Sequence, residues 1–549
     1  MAGPKTGAAC SSNYHEGSAD SPRPPLGAAG TSRGLDTYPW ESDMRGRLFA
    51  ALLLLATASP SFGTEPPVPA TTSVDRLREA GLDRAWLSHA DVDSAFGHVI
   101  DMQIAVDTKR TTTRYAVIVD AQISTQTYSV RTDAGVEQRE RSVMIGGRLD
   151  RLFSELDLGP RGTPYGIDGA KAAAELRVEV LAAEGKSAMV REEVLPKITL
   201  FVLTDQYVVE AIDGETGASL WSARAGKRGA AINELAVSAD HVVVANGMDL
   251  FCLDALTGLP VWTRRSEHSP GAGAAITNWF VYVPMLNGSL EAFPLHRPEA
   301  RSQRLLSSGR AMTRPILTSE RIVWANEQKT LFIASRGAEV SPMEFRVRFD
   351  QFIATDMATD GRNSIFVPMS DGVIHAVSDR QGQLIWKQSL GDPMHVPPVY
   401  VDGDLYAVTV AGTLFSLDPT TGITRWQARG IERVISVSAT KVYALDRMGI
   451  LHAFERQGGR KVGSVDLAGA TVAATNTLTD RIYVATPSGR LECLHELDVA
   501  RSVLHGSPEL VPNRPAGEPV EAAPAPVRAA PAPPEPAAPA AGYPFGTGR

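Results

Sequence analysis

A small side chain recurs eight times in this chain, each time inside a short apolar run. The steps between successive copies are 41, 40, 41, 43, 40, 37 and 40 residues. A repeat of this length, built from short strands and glycine turns, is typical of a β-propeller with four strands per blade. The sequence therefore predicts an all-β protein, an eight-bladed β-propeller of four-stranded blades. The eight positions are Ala211, Cys252, Ala292, Ile333 (the one bulky exception), Ala376, Ser416, Ala453 and Cys493.

A turn motif follows four of these positions, in which an aspartate, a glycine and a tryptophan come at nearly fixed spacing. Aspartate accepts backbone N–H groups at a turn, and glycine adopts the positive φ that other residues resist. We expect the tryptophan to fill the gap between neighbouring blades rather than to bind a ligand. The motif residues are Asp213, Thr216, Gly217 and Trp221; Asp254, Thr257, Gly258 and Trp262; Asp418, Thr421, Gly422 and Trp426; and, in a weaker copy, Asp379, Gly382 and Trp386.

This motif resembles the PQQ-like, or quinoprotein-type, propeller repeat, and the resemblance covers about residues 195–500. The family includes the pyrroloquinoline-quinone alcohol dehydrogenases and the non-catalytic, BamB-type subunits of the outer-membrane barrel assembly machine. For a dehydrogenase the resemblance implies a quinone on the propeller axis, between a Trp floor and a disulfide of two adjacent cysteines. A Ca²⁺ ion and a catalytic Asp would complete such a site.

Two observations argue against quinone chemistry in this chain. No two of its three cysteines adjoin, so one wall of the quinone site is absent. Four strands of five or six residues use roughly 20–24 residues of each repeat, which leaves only short loops over the axis. The histidines fall in different blades without the spacing of metal ligands. We therefore expect no catalytic residue, no cofactor and no metal, with a degenerate PQQ-dependent dehydrogenase as the alternative.

The N-terminal residues predict export from the cytoplasm. Arg45 and Arg47 precede an apolar run at residues 48–58, and small residues follow at 59–63. This is the pattern of a signal peptide over residues 44–63 that begins at Met44. Residues 1–43 are then an upstream extension from a misplaced start; the alternative is a cytoplasmic tail ahead of a membrane anchor. The apolar run is short for an anchor, since a span needs ~20 residues.

The rest of the chain divides by composition. We expect a linker with a short helix at 64–96, a mixed α+β region at 97–194, the propeller at 195–505, and a disordered tail rich in Pro and Ala at 506–549. The last blade lacks an outer strand, and propellers close by borrowing one from the other terminus. Strands within 97–145 are expected to close the ring, or to form a degenerate blade around Ser129. Residues 148–156 and 170–183 predict helices, unless the second begins a hairpin with 187–193.

Basic residues concentrate in the connections from an outer strand to the next inner strand, although the net charge is -8. These connections share one face, so their charge predicts a docking surface for a protein or an anionic envelope polymer; the alternative is ordinary solvated charge. We expect a non-catalytic scaffold in the periplasm or cell envelope, without nucleic-acid binding, and the family resemblance implies a role in envelope or outer-membrane protein assembly. The candidate partner-binding residues are Arg264, Arg265, Arg301, Arg304, Arg310, Arg429 and Arg433.

Overall fold

The N-terminal part of the fold mixes strands and helices. The computed structural model describes residues 72–92, 97–132, 135–145, 147–155, 157–160, 162–311, 313–337, 339–340, 342–497, 499 and 501–506, with the backbone alone at 123–145. The predicted upstream extension, the signal peptide and residues 507–549 of the predicted tail lie outside this description. The first elements are α1 (Val74–Glu79), β1 (Leu82–His89), β2 (Val99–Val119), β3 (Gln122–Thr132), β4 (Gly135–Ile145), β5 (Arg148–Ser154), α2 (Gly166–Ala183) and β6 (Ala188–Thr204).

From β6 onward the described chain consists of short strands. They are β7 (Val208–Asp213), β8 (Ser219–Arg224), β9 (Ala236–Val237), β10 (His241–Asn246), β11 (Asp249–Asp254), β12 (Pro260–Arg265), β13 (Ala275–Ile276), β14 (Phe280–Pro284), β15 (Leu290–Pro294), β16 (Gln303–Leu305), β17 (Ile316–Leu317), β18 (Arg321–Asn326), β19 (Thr330–Ser335), β20 (Met343–Arg348), β21 (Ala358–Thr359), β22 (Ser364–Pro368), β23 (Val373–Ser378), β24 (Leu384–Ser389), β25 (Val399–Val401), β26 (Asp404–Val408), β27 (Thr413–Leu417), β28 (Thr424–Arg429), β29 (Arg433–Val437), β30 (Lys441–Leu445), β31 (Ile450–Glu455), β32 (Lys461–Asp466), β33 (Val472–Ala473), β34 (Ile482–Ala485) and β35 (Arg490–Glu496).

The described strands form nine antiparallel sheets, of which eight are the blades of a propeller and the ninth is the β3–β4 pair, so the predicted eight-bladed propeller is confirmed. Blade 1 contains β2, β6, β7 and β8, and blades 2 to 7 each take the next four strands in sequence order. Blade 8 contains β33, β34, β35 and, as its outer strand, β1. The first strand of each blade is the innermost one, and β2 contacts both β9 of blade 2 and β33 of blade 8. The sheets therefore close into a ring.

The eight recurring positions all lie on the third strand of their blades, and all are buried. Each faces the same position of the outer strand; for example, Ala211 lies opposite Trp221 and Ser416 lies opposite Trp426. A small side chain at this point leaves room for the indole ring of the adjacent strand. The recurrence in the sequence is thus the recurrence of one packing position.

The ring closes through β1, which pairs with β35 from Leu82 opposite Glu496 to His89 opposite Arg490. Trp86 then lies opposite Cys493 and supplies the indole that blade 8 lacks in its own sequence. The prediction that 97–145 closes the ring was wrong, because the start of β2 is instead the inner strand of blade 1. An outer strand is half exposed, so the eight residues of β1 show only Leu82 and Trp86 as buried apolar positions. That pattern is too sparse to read as a strand.

The tryptophans of the turn motif pack against the glycine turn of the next blade, at what we call the seam. At four seams the indole Nε1 also donates a hydrogen bond to a backbone carbonyl there, at distances of 2.8–3.0 Å. A Cβ added to Gly422 would lie 2.5 Å from the ring of Trp386. The aspartate orders the turn itself: Asp213 Oδ1 accepts hydrogen bonds from the backbone N–H and the hydroxyl of Thr216, both at 2.9 Å.

Trp262 is the exception at these seams. Its Nε1 is buried and has no hydrogen-bond partner among the described residues. The next blade has no glycine turn at this point, and its chain continues through Leu295 and His296 instead.

The region between β2 and β6 is an insertion into blade 1. Both strands extend beyond the blade, where residues 111–119 of β2 pair with residues 188–196 of β6 and with β5. Helix α2 buries Ala170, Ala174 and Leu181 against this extension. The helix predicted at 170–183 is present, whereas residues 148–154 form strand β5 instead of the predicted helix. Strands β3 and β4 pair only with each other, so the segment around Ser129 is not a degenerate blade.

The C-terminal residues of the described chain pack across the ring beside this insertion. Arg481, which is buried, donates hydrogen bonds to Ser502 Oγ at 2.8 Å and to the Val499 carbonyl at 3.1 Å. Ser502 in turn donates to Glu215 in the turn between β7 and β8. Within the described residues, no helix is both long and apolar enough to cross a membrane.

Candidate functional site

The topology separates the loops of the ring into two faces. In every antiparallel blade, the connection from the fourth strand to the next blade lies on the same side as the turn between the second and third strands. We call this side the outer-to-inner face. The opposite face carries the remaining turns and the insertion between β2 and β6.

A cavity of about 610 Å³ lies on the axis of the ring and is bounded by the innermost strands of the blades. Its walls mix apolar side chains, such as Val237, Ile316 and Val434, with the charged residues described next. None of the described residues that line it is Cys, His or Trp. The sequence argument that short loops leave no room on the axis is not supported by this volume. The residue types at the wall, rather than its size, distinguish this cavity from a quinone site.

An acidic and basic cluster lies at the mouth of the cavity on the outer-to-inner face. Asp101 accepts a hydrogen bond from the backbone N–H of Leu235 at 2.7 Å, and burial raises its pKa. Asp356 accepts a hydrogen bond from the backbone N–H of Arg314 at 2.8 Å, and burial raises its pKa to about 6. Asp101 thus connects the first strand of blade 1 to the segment before blade 2, and Asp356 connects the segments before blades 4 and 5.

Arg314 is the cation at the centre of this cluster. Its Nε donates to the carbonyl of Ala274 at 3.2 Å, and its Nη2 donates to the carbonyl of Leu235. The exposed carboxylate of Glu234 lies 4.0 Å from its Nη1. Through these two hydrogen bonds to backbone carbonyls Arg314 connects the segments before the first strands of blades 2, 3 and 4 at the mouth of the cavity, where the carboxylate of Glu234 remains exposed.

Several of the predicted partner-binding arginines have structural roles within the ring. Arg264 lies over the ring of Phe293, 5.1 Å from its centroid, and donates to the Ala300 carbonyl at 2.7 Å. Arg304 forms ion pairs with Glu291 of blade 3 and with Glu267 in the connection that precedes this blade. Arg433 donates to the Thr471 carbonyl at 2.7 Å, and burial lowers its pKa.

The remaining four arginines are exposed, but they do not share one face. Arg265, Arg310 and Arg429 lie at the outer-to-inner face, and Arg265 is 3.8 Å from Asp249. Arg301 lies between β15 and β16, a connection from the third to the fourth strand, and therefore on the opposite face. The sequence analysis was wrong to group it with the others. The connection between β15 and β16 is long and irregular, so the sequence did not indicate where the outer strand of blade 3 begins.

The outer-to-inner face also exposes large apolar side chains, which charge alone did not predict. Leu306 is 71% exposed and Phe352 is 52% exposed, on consecutive connections. Phe352 borders a second cavity of about 600 Å³, together with Lys329, Arg346 and Arg348. Lys329 Nζ lies 4.7 Å from the centroid of the Phe352 ring. An apolar and basic surface of this kind is typical of a site for another macromolecule.

Comparison with known proteins now identifies the family. A family model described as "Outer membrane protein assembly factor BamB" matches residues 177–284, 204–341 and 318–498, which together exceed half of the chain. The chain belongs to this BamB family. The matched residues hold most of the ring, whereas β1, β2 and the first part of the insertion precede them.

The individual relatives are distant. The outer membrane protein assembly factor BamB of Yersinia pestis is 22% identical over 283 residues, which cover 48% of this chain and 62% of that relative. This chain thus spans less than two thirds of the length of the relative. BamB of Moraxella catarrhalis has a solved structure with 15% identity and a TM-score of 0.45, over 54% of this chain and 91% of that one. A computationally designed protein, Ika8, has 14% identity and a TM-score of 0.44, over 54% and 93% of the respective chains.

Proposed function

We propose that this protein is a non-catalytic scaffold of the cell envelope, which binds a protein partner during the assembly of outer-membrane proteins. Membership of the BamB family supports the process. The observation that carries the binding proposal is the exposed apolar and basic surface on the outer-to-inner face. We define this docking surface by Leu306, Arg310, Lys329, Arg348 and Phe352.

The chemistry of this surface favours a protein over a simple anionic polymer. A polyanion needs clustered cations, but here Glu327 and Asp350 line the same cavity as the basic residues. The exposed rings and aliphatic chains offer apolar area that only a partner with its own apolar side chains can cover. Arg310, Arg346 and Arg348 would then select an acidic rim around that apolar contact and speed the encounter.

Paired substitutions on the two faces test the proposal. Leu306→Asp with Phe352→Asp introduces charge into the docking surface, so it should lower capture of the partner at least about tenfold. The matched control is Leu259→Asp with Ile423→Asp, since these side chains are 66% and 64% exposed on the opposite face. Capture is measured by cross-linking the tagged full chain in its native envelope and quantifying the same partner protein for each variant. Thermal unfolding should be alike for all of them.

A charge reversal gives an independent check of the same surface. Arg310→Glu should weaken capture of that partner, whereas Arg301→Glu on the opposite face should leave it unchanged. Equal loss in both variants, or loss only with the opposite-face substitutions, would place the partner elsewhere. Captured proteins without any role in outer-membrane assembly would refute the proposed process.

A further inference from the structure

Three residues of types that bind metals, two glutamates and a histidine, meet at the junction of blades 2 and 3, away from the axial cavity. Glu267 and His268 follow strand β12, and Glu291 lies near the start of β15. One ligand atom of each residue, a carboxylate oxygen or an imidazole nitrogen, lies within 4.8 Å of the other two. Two elements that are separate in the sequence thus present one histidine and two glutamates to the same point. The histidine spacing in the sequence gave no sign of this.

Two buried atoms of this cluster have no hydrogen-bond partner among the described residues. They are Oε2 of Glu291 and Nδ1 of His268. The Glu291 side chain is 1% exposed, so bulk water does not solvate its second oxygen. Leaving a buried polar atom unpaired costs on the order of 1–3 kcal/mol. Two such atoms on neighbouring side chains indicate that the cluster is completed by another group.

The separation of the ligand atoms favours a metal ion as that group. His268 Nδ1 lies 3.8 Å from Glu291 Oε1, which is too long for a hydrogen bond. Two ligands that each lie about 2.1 Å from one Zn²⁺ ion are roughly 3.4 Å apart in a tetrahedral site. A movement of a few tenths of an ångström would therefore bring this pair of atoms to the separation found in a coordination shell, and the ligand atom of Glu267 lies within 4.8 Å of those of His268 and Glu291.

Arg304 holds the two carboxylates in place. Its Nη2 donates to Glu267 Oε2 at 2.7 Å and to Glu291 Oε1 at 3.0 Å, so Glu291 Oε2 is left available. The two glutamates and the arginine together carry one negative charge. A divalent ion would more than compensate it, and Arg304 would orient the ligands as outer groups do in metal sites.

We propose that Glu267, His268 and Glu291 bind one divalent transition-metal ion. Imidazole and carboxylate ligands suit Zn²⁺, and three protein ligands leave one position open to water or to a side chain of a partner. The bound ion would fix the connection between β12 and β13 to blade 3 on the outer-to-inner face. The proposal does not depend on which partner the scaffold binds.

Metal titration of the purified full chain tests the site, with Zn²⁺ as the probe. We expect one Zn²⁺ per chain by isothermal titration calorimetry, and a higher melting temperature in its presence. His268→Ala and Glu291→Gln should each lower the affinity at least about tenfold. His268 lies in a partly exposed connection, so its variant tests the site even if the buried Glu291→Gln variant fails to fold.

His452→Ala is the matched control, because His452 Nε2 also lies beside a carboxylate, 3.0 Å from Asp446 Oδ2 in blade 7. No third ligand joins that pair among the described residues. Co²⁺ should give the visible absorption of a four-coordinate site in the unaltered chain and in the His452 variant, but not in the His268 variant. The proposal is overturned if the unaltered chain binds no Zn²⁺, or if the His268 variant binds it as tightly.

Discussion

Single residues at the seams determine how closely the blades approach one another. The seam glycines combine a positive φ with direct contact to an indole ring, and the two requirements can be separated experimentally. Gly422 has φ +75° and faces Trp386, whereas Gly430 has φ +81° and nothing within 4 Å of an added Cβ. The same backbone conformation therefore occurs once with packing and once without it.

Alanine at these two positions should separate strain from overpacking. Gly430→Ala should lower the free energy of unfolding by about 1 kcal/mol, because only the positive φ is disfavoured. Gly422→Ala should cost a further 1–3 kcal/mol or so, because its Cβ would overlap the ring of Trp386. Chemical denaturation measures both. If both variants lose the same free energy of unfolding, the seam accommodates the extra methyl group without strain.

Asp356 makes stability depend on pH. Burial raises its pKa to about 6 in the folded protein, so the folded state holds its proton more tightly than the unfolded state does. Unfolding then releases a proton between about pH 4 and pH 6, and the contribution of this residue to stability falls as pH rises through that window. Asp356→Asn removes the charge and should stabilise the protein above pH 6 by on the order of 2 kcal/mol.

The comparison of unfolding free energies at pH 4 and pH 7 checks this expectation. The advantage of the Asp356→Asn variant should be present at pH 7 and small at pH 4. Asp392→Asn, at an exposed position, is the control and should follow the unaltered protein at both pH values. A constant difference across the range would argue against titration of Asp356.

Strand β1 is only eight residues long, yet the closure of the ring depends on it. It supplies the outer strand of blade 8, and without it β35 would present an open edge, which is a template for aggregation. Trp86 connects this strand to blade 1, because its Nε1 donates to the Gly214 carbonyl at 2.9 Å. One short strand therefore completes a sheet and forms a seam at the same time.

Substitution within β1 tests how much of the ring depends on it. Trp86→Ala should lower the free energy of unfolding by about 3–5 kcal/mol, as expected for a buried aromatic side chain. Leu87→Ala, at a neighbouring side chain that is 46% exposed, should change it by less than about 1 kcal/mol. Denaturant titration with tryptophan fluorescence and circular dichroism gives both values. Similar effects of the two substitutions would show that β1 does not hold the ring closed.

The sequence predicted those elements whose packing repeats and missed those that occur once. The third strands carry a recurring buried residue that is small in every blade except at Ile333, so their number and spacing could be predicted from Ala211 to Cys493. β1 and the axial cluster have no repeat to mark them: Trp86 stands alone in a charged strand, and Asp101, Arg314 and Asp356 meet only in the closed ring. The Glu267, His268 and Glu291 cluster was missed for the same reason, since long-range contacts leave no local pattern.

At the scale of the whole molecule, the ring offers an axial cavity and a docking surface with different chemistry. The cavity is bordered by carboxylates and arginines that hydrogen-bond to the protein itself. The docking surface instead exposes the apolar side chains of Leu306 and Phe352 beside basic ones, of which Lys329 also donates a hydrogen bond to the carbonyl of Asp350. This distribution favours the proposed scaffold, which binds a partner at the docking surface, over an enzyme with an active site in the axial cavity.

Reconstitution with the quinone tests directly whether the axial cavity binds this cofactor. After incubation with pyrroloquinoline quinone and Ca²⁺ followed by gel filtration, we expect no quinone absorbance to elute with the protein. We also expect no Ca²⁺-dependent dye reduction with alcohols. Stoichiometric retention of the quinone together with dye reduction would reverse the choice between scaffold and dehydrogenase.

The position of β1 has a consequence for biosynthesis. The ribosome makes this strand before any blade, yet its partner β35 is among the last segments to be made. Newly made chain must therefore keep a tryptophan-bearing strand unpaired until some four hundred further residues have followed it. Pairing between segments so far apart in the sequence slows folding, and it prolongs the time during which aggregation-prone segments are exposed. Strand β1 can thus join its sheet only after the last blade has been made.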